Sequence, residues 1–439
     1  MNTSVAEIME FVKENDVKFI RLAFCDLAGV MKNISIMPSE TERALEQGIS
    51  FDASAIRGFT EVTHSDLFLH PVLSTMTVLP WRPQQGRVIR FFCGIKNPDK
   101  TSFVGDSRDV LKRAVERCGN LGYTCRIGAE CEFYLFRTDE KDNPTYITYD
   151  NGGYLDISPV DKGENIRREI CLTLEEMGIQ PETSHHEQGP GQNEIDFKYS
   201  DALNAADNFL IFKSVVKAIA SRNGLFASFM PKPIPDQSGS GLHINLSLFE
   251  NNRNIFNITN MVQSKVAENF IAGVLYRISE ITAFLNPLTN SYDRFGSFEA
   301  PKYISWSHQN RSQLIRIPAA EGDFSRMELR SPDPSANPYI GFALILHAGL
   351  DGIQEKRVLP EPLDMDLYKA GQHTAEKIPT LPKSLDEALE YAENSSFVRS
   401  VLGDFILGKY IALKKAEAMD FSAAQNRQDF CNERYFRFI

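Results

Sequence analysis

The sequence lacks the features that identify several classes of protein. No window approaches eighteen consecutive apolar residues, so no segment is predicted to span a membrane. Residues 1–15 alternate acidic and apolar positions and lack the basic start and long apolar run of a signal peptide. Clustered cations are also missing. The formal net charge of -11 argues against sequence-independent binding to nucleic acid or to an anionic membrane.

The cysteine pattern and the absence of common nucleotide-binding motifs exclude further classes of protein. The seven cysteines form an odd set with no Cys-x-x-Cys pair and no Cys/His spacing of a structural zinc site, so we expect reduced cysteines in a cytoplasmic protein. The chain has neither the Gly-x-x-x-x-Gly-Lys-Ser/Thr loop nor the protein-kinase motifs. Any bound nucleotide must therefore be held by another scaffold.

The 439 residues leave room for two or three domains, and the patterns predict a small mixed α/β domain followed by a larger one. The expected boundary is the polar, proline-containing stretch at 96–100. Before it we expect a strand hairpin at 17–24 and 30–37, a helix at 39–46, a loop-rich stretch at 51–83 and a strand at 87–93. After it we expect a mixed sheet with helices at 107–121, 163–178, 202–223, 262–285 and 340–352.

Two acidic segments of the second domain are candidate ligand sites. In the predicted strand at 126–136, Glu130 and Glu132 share one face and the apolar residues share the other. Strand geometry places these carboxylates roughly 7 Å apart. A Gly-Pro-Gly loop at 189–191 could bring Glu187 and Glu194 to one centre. A Glu-x-Glu strand alone is more often a solvated face.

Two further strands add an imidazole and another carboxylate. His243 shares a strand face with Asn245 and Ser247, and Glu328 lies in a short strand at 326–330. Alone, His243 would more often be a hydrogen-bonded structural histidine. Together, five glutamates and one histidine would repel strongly without cations, and hard oxygen ligands with one imidazole suit Mg²⁺ or Mn²⁺. The combination predicts two or more divalent ions near a phosphate.

Five arginines accompany these acidic strands: Arg294, Arg311, Arg316, Arg326 and Arg330. The planar guanidinium matches carboxylate and phosphate oxygens, so the set suits an acidic substrate and a transferring phosphoryl group. Each arginine taken singly is better explained by a surface ion pair. Beside a metal cluster, catalysis becomes the better interpretation.

Taken together, these segments resemble class I glutamine synthetases, closest to the Bacillus-type form, from the strand at Phe19 to about Pro338. The resemblance implies an α+β fold, with an N-terminal β-grasp domain at 1–100. The catalytic domain at 101–439 would have a curved antiparallel sheet flanked by helices. It also implies a homo-oligomer, a dodecamer of two hexameric rings with sites between subunits, and no nucleic-acid or membrane partner.

The resemblance also assigns residues to roles. One metal would be held by Glu130, His243 and Glu328 and the other by Glu132, Glu187 and Glu194. Glutamate would contact Gly239, Arg294, Glu299, Arg311 and Arg330. ATP would contact Asn245, Ser247, Arg311, Arg316 and Arg326. The ammonium site would comprise Asp52, Tyr154 and Glu187, and the catalytic residues would be Asp52, Glu299 and Arg311.

The implied reaction is ATP-dependent formation of γ-glutamyl phosphate, from which ammonium displaces phosphate to give glutamine. Three departures from the family pattern keep an alternative open. Ala53 and Ala55 replace a glycine and a serine of the ammonium loop, Ser238 replaces an asparagine that contacts glutamate, and the flap segment 294–299 is one residue short. These changes would suit a γ-glutamyl-amine ligase. A third hypothesis is a non-catalytic sensory paralogue. It is disfavoured because all six metal ligands are retained. Glu61 replaces an arginine of feedback inhibition in Bacillus-type members.

Overall fold

The computed structural model describes residues 4–82, 85–256, 258–259, 262–369 and 377–439. The helices in this part of the chain are α1 (Val5–Glu14), α2 (Thr41–Glu46), α3 (Ser107–Asn120), α4 (Glu164–Glu176), α5 (Ala202–Arg222), α6 (Lys265–Leu285), α7 (Pro338–Gln354), α8 (Leu385–Asn394), α9 (Ser396–Ala423) and α10 (Arg427–Cys431). The strands are β1 (Val17–Cys25), β2 (Met31–Ile36), β3 (Ile49–Asp52), β4 (Asp66–Pro71), β5 (Thr77–Val78), β6 (Arg87–Lys96), β7 (Thr124–Thr138), β8 (Pro144–Thr148), β9 (Pro181–His186), β10 (Gln192–Asp201), β11 (Leu225–Ser228), β12 (Leu242–Glu250), β13 (Arg253–Asn254), β14 (Ile258–Thr259), β15 (Val262–Gln263), β16 (Trp306–His308), β17 (Ile315–Ile317) and β18 (Met327–Leu329). No helix of the described ranges is both long and apolar enough to cross a membrane.

The N-terminal sheet has the strand order β2-β1-β6-β4-β3, with β5 paired to β6. The predicted hairpin of β1 and β2 is confirmed. Its turn is fixed by Asp26, whose Oδ1 accepts hydrogen bonds from the backbone N–H groups of Ala28 and Val30. The prediction that 51–83 is loop-rich is partly wrong, because β4 and β5 lie within it. Strands this short depend on pairing with β6, which the local pattern does not reveal.

The large sheet has the strand order β16-β17-β18-β12-β7-β10-β9, with β8, β11 and β13 at its sides. Its pairs are antiparallel except for β16 and β17, which run parallel. The alternation predicted for β7 is confirmed: Ile127, Cys131 and Phe133 are buried on one face. Helix α5 packs against β7. The apolar face of the sheet is thereby covered, which leaves the acidic face for the site.

The helices predicted in the second domain are found, and one of them begins later than expected. Helix α6 was predicted from residue 262, but 262–263 form β15 and the helix begins at Lys265. The side chain of Ser264 caps it by accepting a hydrogen bond from the N–H of Ala267 at 3.2 Å. An N-cap serine marks a helix start more sharply than apolar spacing does.

Helices α6 and α7 approach so closely that only glycine fits at their crossing. A Cβ added to Gly352 would lie 2.2 Å from the carbonyl oxygen of Asn269 and 2.7 Å from the Cα of Gly273. Both obstacles are backbone atoms, so a rotamer change cannot relieve the clash. The crossing therefore fixes the helical layer beneath the sheet.

We expect Gly352→Ala to lower the free energy of unfolding by about 1–3 kcal/mol, because the helices must separate. Gly408→Ala is the matched control. Gly408 is an exposed helical glycine with nothing within 4 Å of an added Cβ, and alanine should stabilise that helix by up to about 1 kcal/mol. Chemical denaturation of both variants tests this expectation. Equal effects of the same sign would contradict the close-packing argument.

Candidate active site

Strand register sets the acidic residues of the large sheet side by side. Glu132 on β7 lies opposite Glu194 on β10. On the other side of β7, Glu130 lies opposite His243 of β12. Asn245 follows His243 by two residues on β12, and Glu328 of β18 lies opposite Asn245. Directly opposite residues of antiparallel strands point to the same side of the sheet, so these side chains converge.

Four of these residues, Glu130, Glu132, Glu194 and His243, line a cavity of about 440 Å³, whereas Glu328 and Asn245 are not among its lining residues. Its walls contain most of the predicted site residues together with several that were not predicted. They are Glu130, Glu132, Tyr154, His185, Glu187, Gln188, Gln192, Glu194, Asp196, Ser238, Gly239, His243, Arg294, Phe298, Glu299, Ala300, Arg311, Arg316, Arg326 and Arg330. All five arginines predicted from the sequence reach this single cavity.

Ligand atoms in the cavity are close enough to share a cation. Glu130, His243 and Glu328 each offer an atom within 4.8 Å of the other two, which matches the first predicted metal set. Glu194 belongs to three further groups with this spacing: one with Glu132 and His243, one with His185 and Glu187, and one with Glu130 and Asp196. The second predicted set does not form one such group, but Glu194 shares a group with each of its other two members.

The electrostatics of the cluster fit a bound cation. Burial, with the charge of Asp196 next, raises the pKa of Glu194 well above its usual range. Burial also raises the pKa of Glu132, and it raises that of Asp196 to about 6. Burial acts on Glu130 too, but hydrogen bonds from His243 and Asn245 outweigh it and bring its pKa to about 2. Carboxylates that lie side by side resist ionisation. A bound divalent cation would stabilise their ionised forms.

Arginines on the neighbouring strands offset part of this charge. Glu328 is fully buried and accepts a hydrogen bond from Arg316 Nε at 2.6 Å, and it also pairs with Arg330. Arg294 is 3% exposed and donates to the carbonyl oxygens of Ser331 and Pro332, but its Nε is buried with no partner. Gly239 makes room for this arginine, because an added Cβ would lie 2.5 Å from the Arg294 Cγ.

The flap residue Glu299 lies over the arginines. Its carboxylate is 3.9 Å from Arg311 Nη1 and 3.7 Å from Arg330 Nη2. Gln188 donates a hydrogen bond to it at 3.5 Å. The backbone of Phe298 and Glu299 is left-handed, with φ of 47° and 62°. This conformation is uncommon for non-glycine residues and is often found at functional sites.

The predicted ammonium residues do not all meet within one chain. Tyr154 lines the cavity and packs edge-on against His185, with ring centroids 5.6 Å apart. Glu187 accepts a hydrogen bond from His185 at 3.0 Å. Asp52 is not among the lining residues. It is exposed at the end of β3, where its Oδ1 accepts hydrogen bonds from the N–H and hydroxyl of Ser54.

A second cavity, of about 200 Å³, adjoins the first. The two cavities share Glu130, Asp196 and Arg326 in their walls. Two of the predicted ATP residues, Asn245 and Ser247, line only the second. Asn245 also joins the cavities, since it donates to Glu130 and accepts from Arg326, both at 2.8 Å.

Comparison with known proteins decides the family. The family model described as the glutamine synthetase catalytic domain matches residues 104–433, and the model of the glutamine synthetase β-grasp domain matches 16–98. The chain is 49% identical over 420 residues to the glutamine synthetase of Clostridium saccharobutylicum, covering 94% of this chain and 95% of that one. The chain belongs to the glutamine synthetase family. It is also 45% identical over 426 residues to the glutamine synthetase of Methanosarcina mazei, covering 96% and 95%.

Solved structures agree with this assignment. A GmaS/ADP complex has a TM-score of 0.87 at 28% identity, covering 97% of this chain and 98% of that chain. The cryoEM structure of Plasmodium falciparum glutamine synthetase has a TM-score of 0.85 at 27% identity, with 98% of both chains covered. The predicted fold is confirmed as a β-grasp domain plus a large catalytic domain with a curved sheet. The chain is an ATP-dependent carbon–nitrogen ligase of the glutamine synthetase type.

Several residues that line the cavity were not predicted, among them His185, Gln192 and Asp196. Asp196 follows Glu194 by two positions on the same strand, so the alternation that found Glu130 and Glu132 could have found it. Gln192 hydrogen bonds to Glu132 Oε2 at 2.9 Å and to the carbonyl oxygen of Gly239 at 3.1 Å. No local pattern distinguishes a glutamine that joins the neighbouring strand β7 to the loop before β12.

The loop that carries Glu187 is held by Asp150. Its Oδ1 accepts hydrogen bonds from the N–H of Gly191 and from His186 Nε2, both at 2.9 Å. Its Oδ2 accepts from the N–H of Lys162 at 2.9 Å. These bonds, despite burial, bring the pKa of Asp150 to about 2. Asp150 is therefore ionised at neutral pH and anchors the loop between β9 and β10.

We expect Asp150→Ala to weaken Mn²⁺ binding about ten-fold, because Glu187 loses its support while the ligands stay intact. Asp139→Ala is the matched control. Asp139 also accepts backbone hydrogen bonds, from Lys141 and Asn143, but lies in the exposed turn after β7. Isothermal titration calorimetry with Mn²⁺ measures both variants. Unchanged affinity in Asp150→Ala would show that the loop holds Glu187 without this anchor.

Proposed function

We propose that this ligase makes glutamine from glutamate, ammonium and ATP through γ-glutamyl phosphate, and that the 440 Å³ cavity is its active site. One observation carries the proposal: a single cavity joins a buried carboxylate cluster to five arginines and to a second cavity. Such a cavity can hold an acidic substrate, a polyphosphate and the cations that offset their charges. Enzymes of this family act on these substrates and use divalent metals.

The metal sets proposed are Glu130, His243 and Glu328 for one ion, and Glu132, Glu187 and Glu194 for the other. Oxygen ligands with one imidazole favour Mg²⁺, or Mn²⁺ in its place. When bound, such ions neutralise the phosphate oxygens and polarise the transferring phosphoryl group. The raised pKa values of Glu132 and Glu194 support this assignment, since a cation would favour their ionised forms.

ATP is proposed to span the two cavities. Its nucleoside would lie in the 200 Å³ cavity beside Ser247 and Asn245, and its phosphates would enter the larger cavity past Arg326. Arg316 and Arg311 line that larger cavity and would bind the β- and γ-phosphates. Guanidinium groups suit this role because their donors match phosphate oxygens in pairs.

Glutamate is proposed to lie against Gly239 and the buried guanidinium of Arg294, whose free Nε can donate to a carboxylate. In the first step a γ-carboxylate oxygen attacks the γ-phosphorus of ATP, the bond to the β-phosphate oxygen breaks and ADP leaves. Arg330 and Arg311, which both lie within 4 Å of Glu299, would offset the charge that moves during this transfer. Their contribution is positioning and electrostatic stabilisation.

In the second step ammonium gives one proton to a carboxylate, and the resulting ammonia attacks the γ-carbonyl carbon. Collapse of the tetrahedral intermediate breaks the bond to phosphate, and the nitrogen loses a second proton to yield the amide. Asp52 is the proposed proton acceptor, with Tyr154 and Glu187 around the ammonium. Glu299 would close over the intermediate and exclude water, which would otherwise hydrolyse it.

The assembly proposed is a dodecamer of two hexameric rings, in which Asp52 reaches the cavity of a neighbouring subunit. Two observations support a shared site. Asp52 lies outside the cavity of its own chain, and its side chain is exposed. A loop that presents an ionised carboxylate to solvent is suited to complete a site on another chain.

A mixed oligomer tests the shared site. Asp52→Ala and Glu130→Gln should each abolish most activity. Co-expressed in equal amounts, they should regain about a quarter of the wild-type rate. A shared site needs Glu130 from one subunit and Asp52 from its neighbour, and each of these residues is intact in half of the subunits. Phosphate release measures the recovery, and each variant alone is the control. A mixture as inactive as its components would place Asp52 and Glu130 of one site on one chain.

The second candidate acceptor is a larger amine. The observation that favours it is Ser238, whose hydroxyl contacts the side chain of Gln192 within the cavity wall and leaves space where the family has an asparagine. We expect ammonium to be the preferred acceptor. Its kcat/KM should exceed those of methylamine, ethylamine and putrescine by roughly a hundred-fold, because a site for a small acceptor excludes extra methylene groups.

Phosphate release from ATP, with glutamate and Mg²⁺, compares the four amines. Ser238→Asn is the informative variant, and under our proposal it leaves the preference for ammonium unchanged. Preference of the wild type for putrescine or methylamine, shifted back to ammonium by Ser238→Asn, would sink the proposal. The chain would then be a γ-glutamyl-amine ligase.

A further inference from the structure

Gln192 is a buried side chain that uses both ends of its amide at the active site. It lies at the start of β10 and is 0% exposed. Its Nε2 donates to Glu132 Oε2 at 2.9 Å and to the carbonyl oxygen of Gly239 at 3.1 Å. Its Oε1 accepts from the N–H of Gly189 at 2.9 Å and from the hydroxyl of Ser238. Both donors of the amide and its acceptor oxygen are therefore engaged.

These partners allow only one orientation of the amide. Turning it over would place its NH₂ group against the N–H of Gly189. It would also place its oxygen against the carboxylate of Glu132 and the carbonyl of Gly239. Polar groups that are buried without a partner are costly, so this orientation is excluded. Gln192 is held firmly by its partners, and it restrains them in turn.

The amide orients Glu132, one of the proposed metal ligands. Glu132 Oε2 accepts from Gln192 Nε2 and from the N–H of Gly241, both at 2.9 Å. Two hydrogen bonds to one oxygen of a planar carboxylate restrict where the other oxygen can point. That other oxygen, Oε1, lies 3.9 Å from His243 Nε2. Glu132, His243 and Glu194 offer ligand atoms within 4.8 Å of one another, so this arrangement leaves Oε1 available to a cation.

The same amide also holds the segment that is proposed to contact glutamate. Gln192 binds the carbonyl oxygen of Gly239 and the hydroxyl of Ser238. From the other side, the fully buried Tyr134 donates its hydroxyl to the carbonyl oxygen of Ser238 at 2.5 Å. A displacement of residues 238–239 would therefore reach Glu132 through one side chain.

We propose that Gln192 is a positioning residue that couples glutamate binding to metal binding. Glutamate would order residues 238–239, this segment would hold the amide, and the amide would keep Glu132 Oε1 directed at the cation. The inference rests on the proposed function, because it takes Gly239 as a glutamate contact and Glu132 as a metal ligand. Coupling between two ligands is reciprocal, so the metal would tighten glutamate binding by the same factor.

Calorimetric titration of the full-length protein with Mn²⁺, with and without saturating glutamate and always without ATP, measures this coupling. In the wild type, glutamate should tighten Mn²⁺ binding about five-fold or more. Gln192→Met keeps the size of the side chain and removes the amide. It should weaken Mn²⁺ binding about ten-fold, because Glu132 loses the group that orients it, and it should abolish most of the effect of glutamate. Gln192→Asn, whose amide is one methylene shorter, takes its place if Gln192→Met fails to fold.

Two further variants separate positioning from a general loss of structure. Tyr134→Phe removes the hydroxyl that holds Ser238, so it should reduce the effect of glutamate and leave Mn²⁺ affinity without glutamate unchanged. Gln354→Met is the matched control. Gln354 is an exposed glutamine of α7 whose Oε1 accepts from Arg117, and its loss should change neither quantity.

A Mn²⁺ affinity that Gln192→Met leaves unchanged would overturn the proposal. An effect of glutamate that is equal in the wild type and in Gln192→Met would overturn it as well. These titrations involve no turnover, so their result does not depend on which amine the enzyme accepts. An enzyme that prefers a larger amine would refute the proposed function alone.

Discussion

The cross-strand register of the large sheet is the constraint on which the site depends. Antiparallel pairing places Glu194, Glu132, Glu130 and His243 in adjacent positions on one side of the sheet, where the charges of the three carboxylates would repel. A shift of one residue would send this set to the apolar side. The register is secured because the other face of β7 is buried against helix α5.

The repulsion between carboxylates differs between two parts of the cluster, the part around Glu328 and the part around Glu194. Glu328 lies where strands β17 and β18 bring Arg316 and Arg330 to it, so this carboxylate is compensated by the protein itself. Glu194 has acidic neighbours in Asp196 and Glu132, and it is this part whose pKa values are raised. The need for an external cation is therefore greatest at the β7–β10 side.

The sequence predicted those parts of the fold whose signal is local. The alternation of β7 and the amphipathic helices were found because each element shows its own period. Strands β4 and β5 were missed because their stability comes from β6, and the late start of α6 was missed because apolar spacing continues into β15. Candidate site residues were found by strand alternation and by family motifs. Gln192 was not, since its partners Glu132 and Gly239 are brought to it only by the fold.

Asp52 has the chemistry that its proposed role in a site on another chain requires. Hydrogen bonds from the Ser54 hydroxyl and N–H lower its pKa, so it is ionised at neutral pH. An exposed anion of this kind would attract an ammonium ion, and it can accept the proton that ammonium gives up as ammonia forms. Several carboxylates in the cavity of the same chain are already engaged with His185, His243 or arginine. Asp52 is exposed and is held by Ser54, which favours it as the proposed proton acceptor.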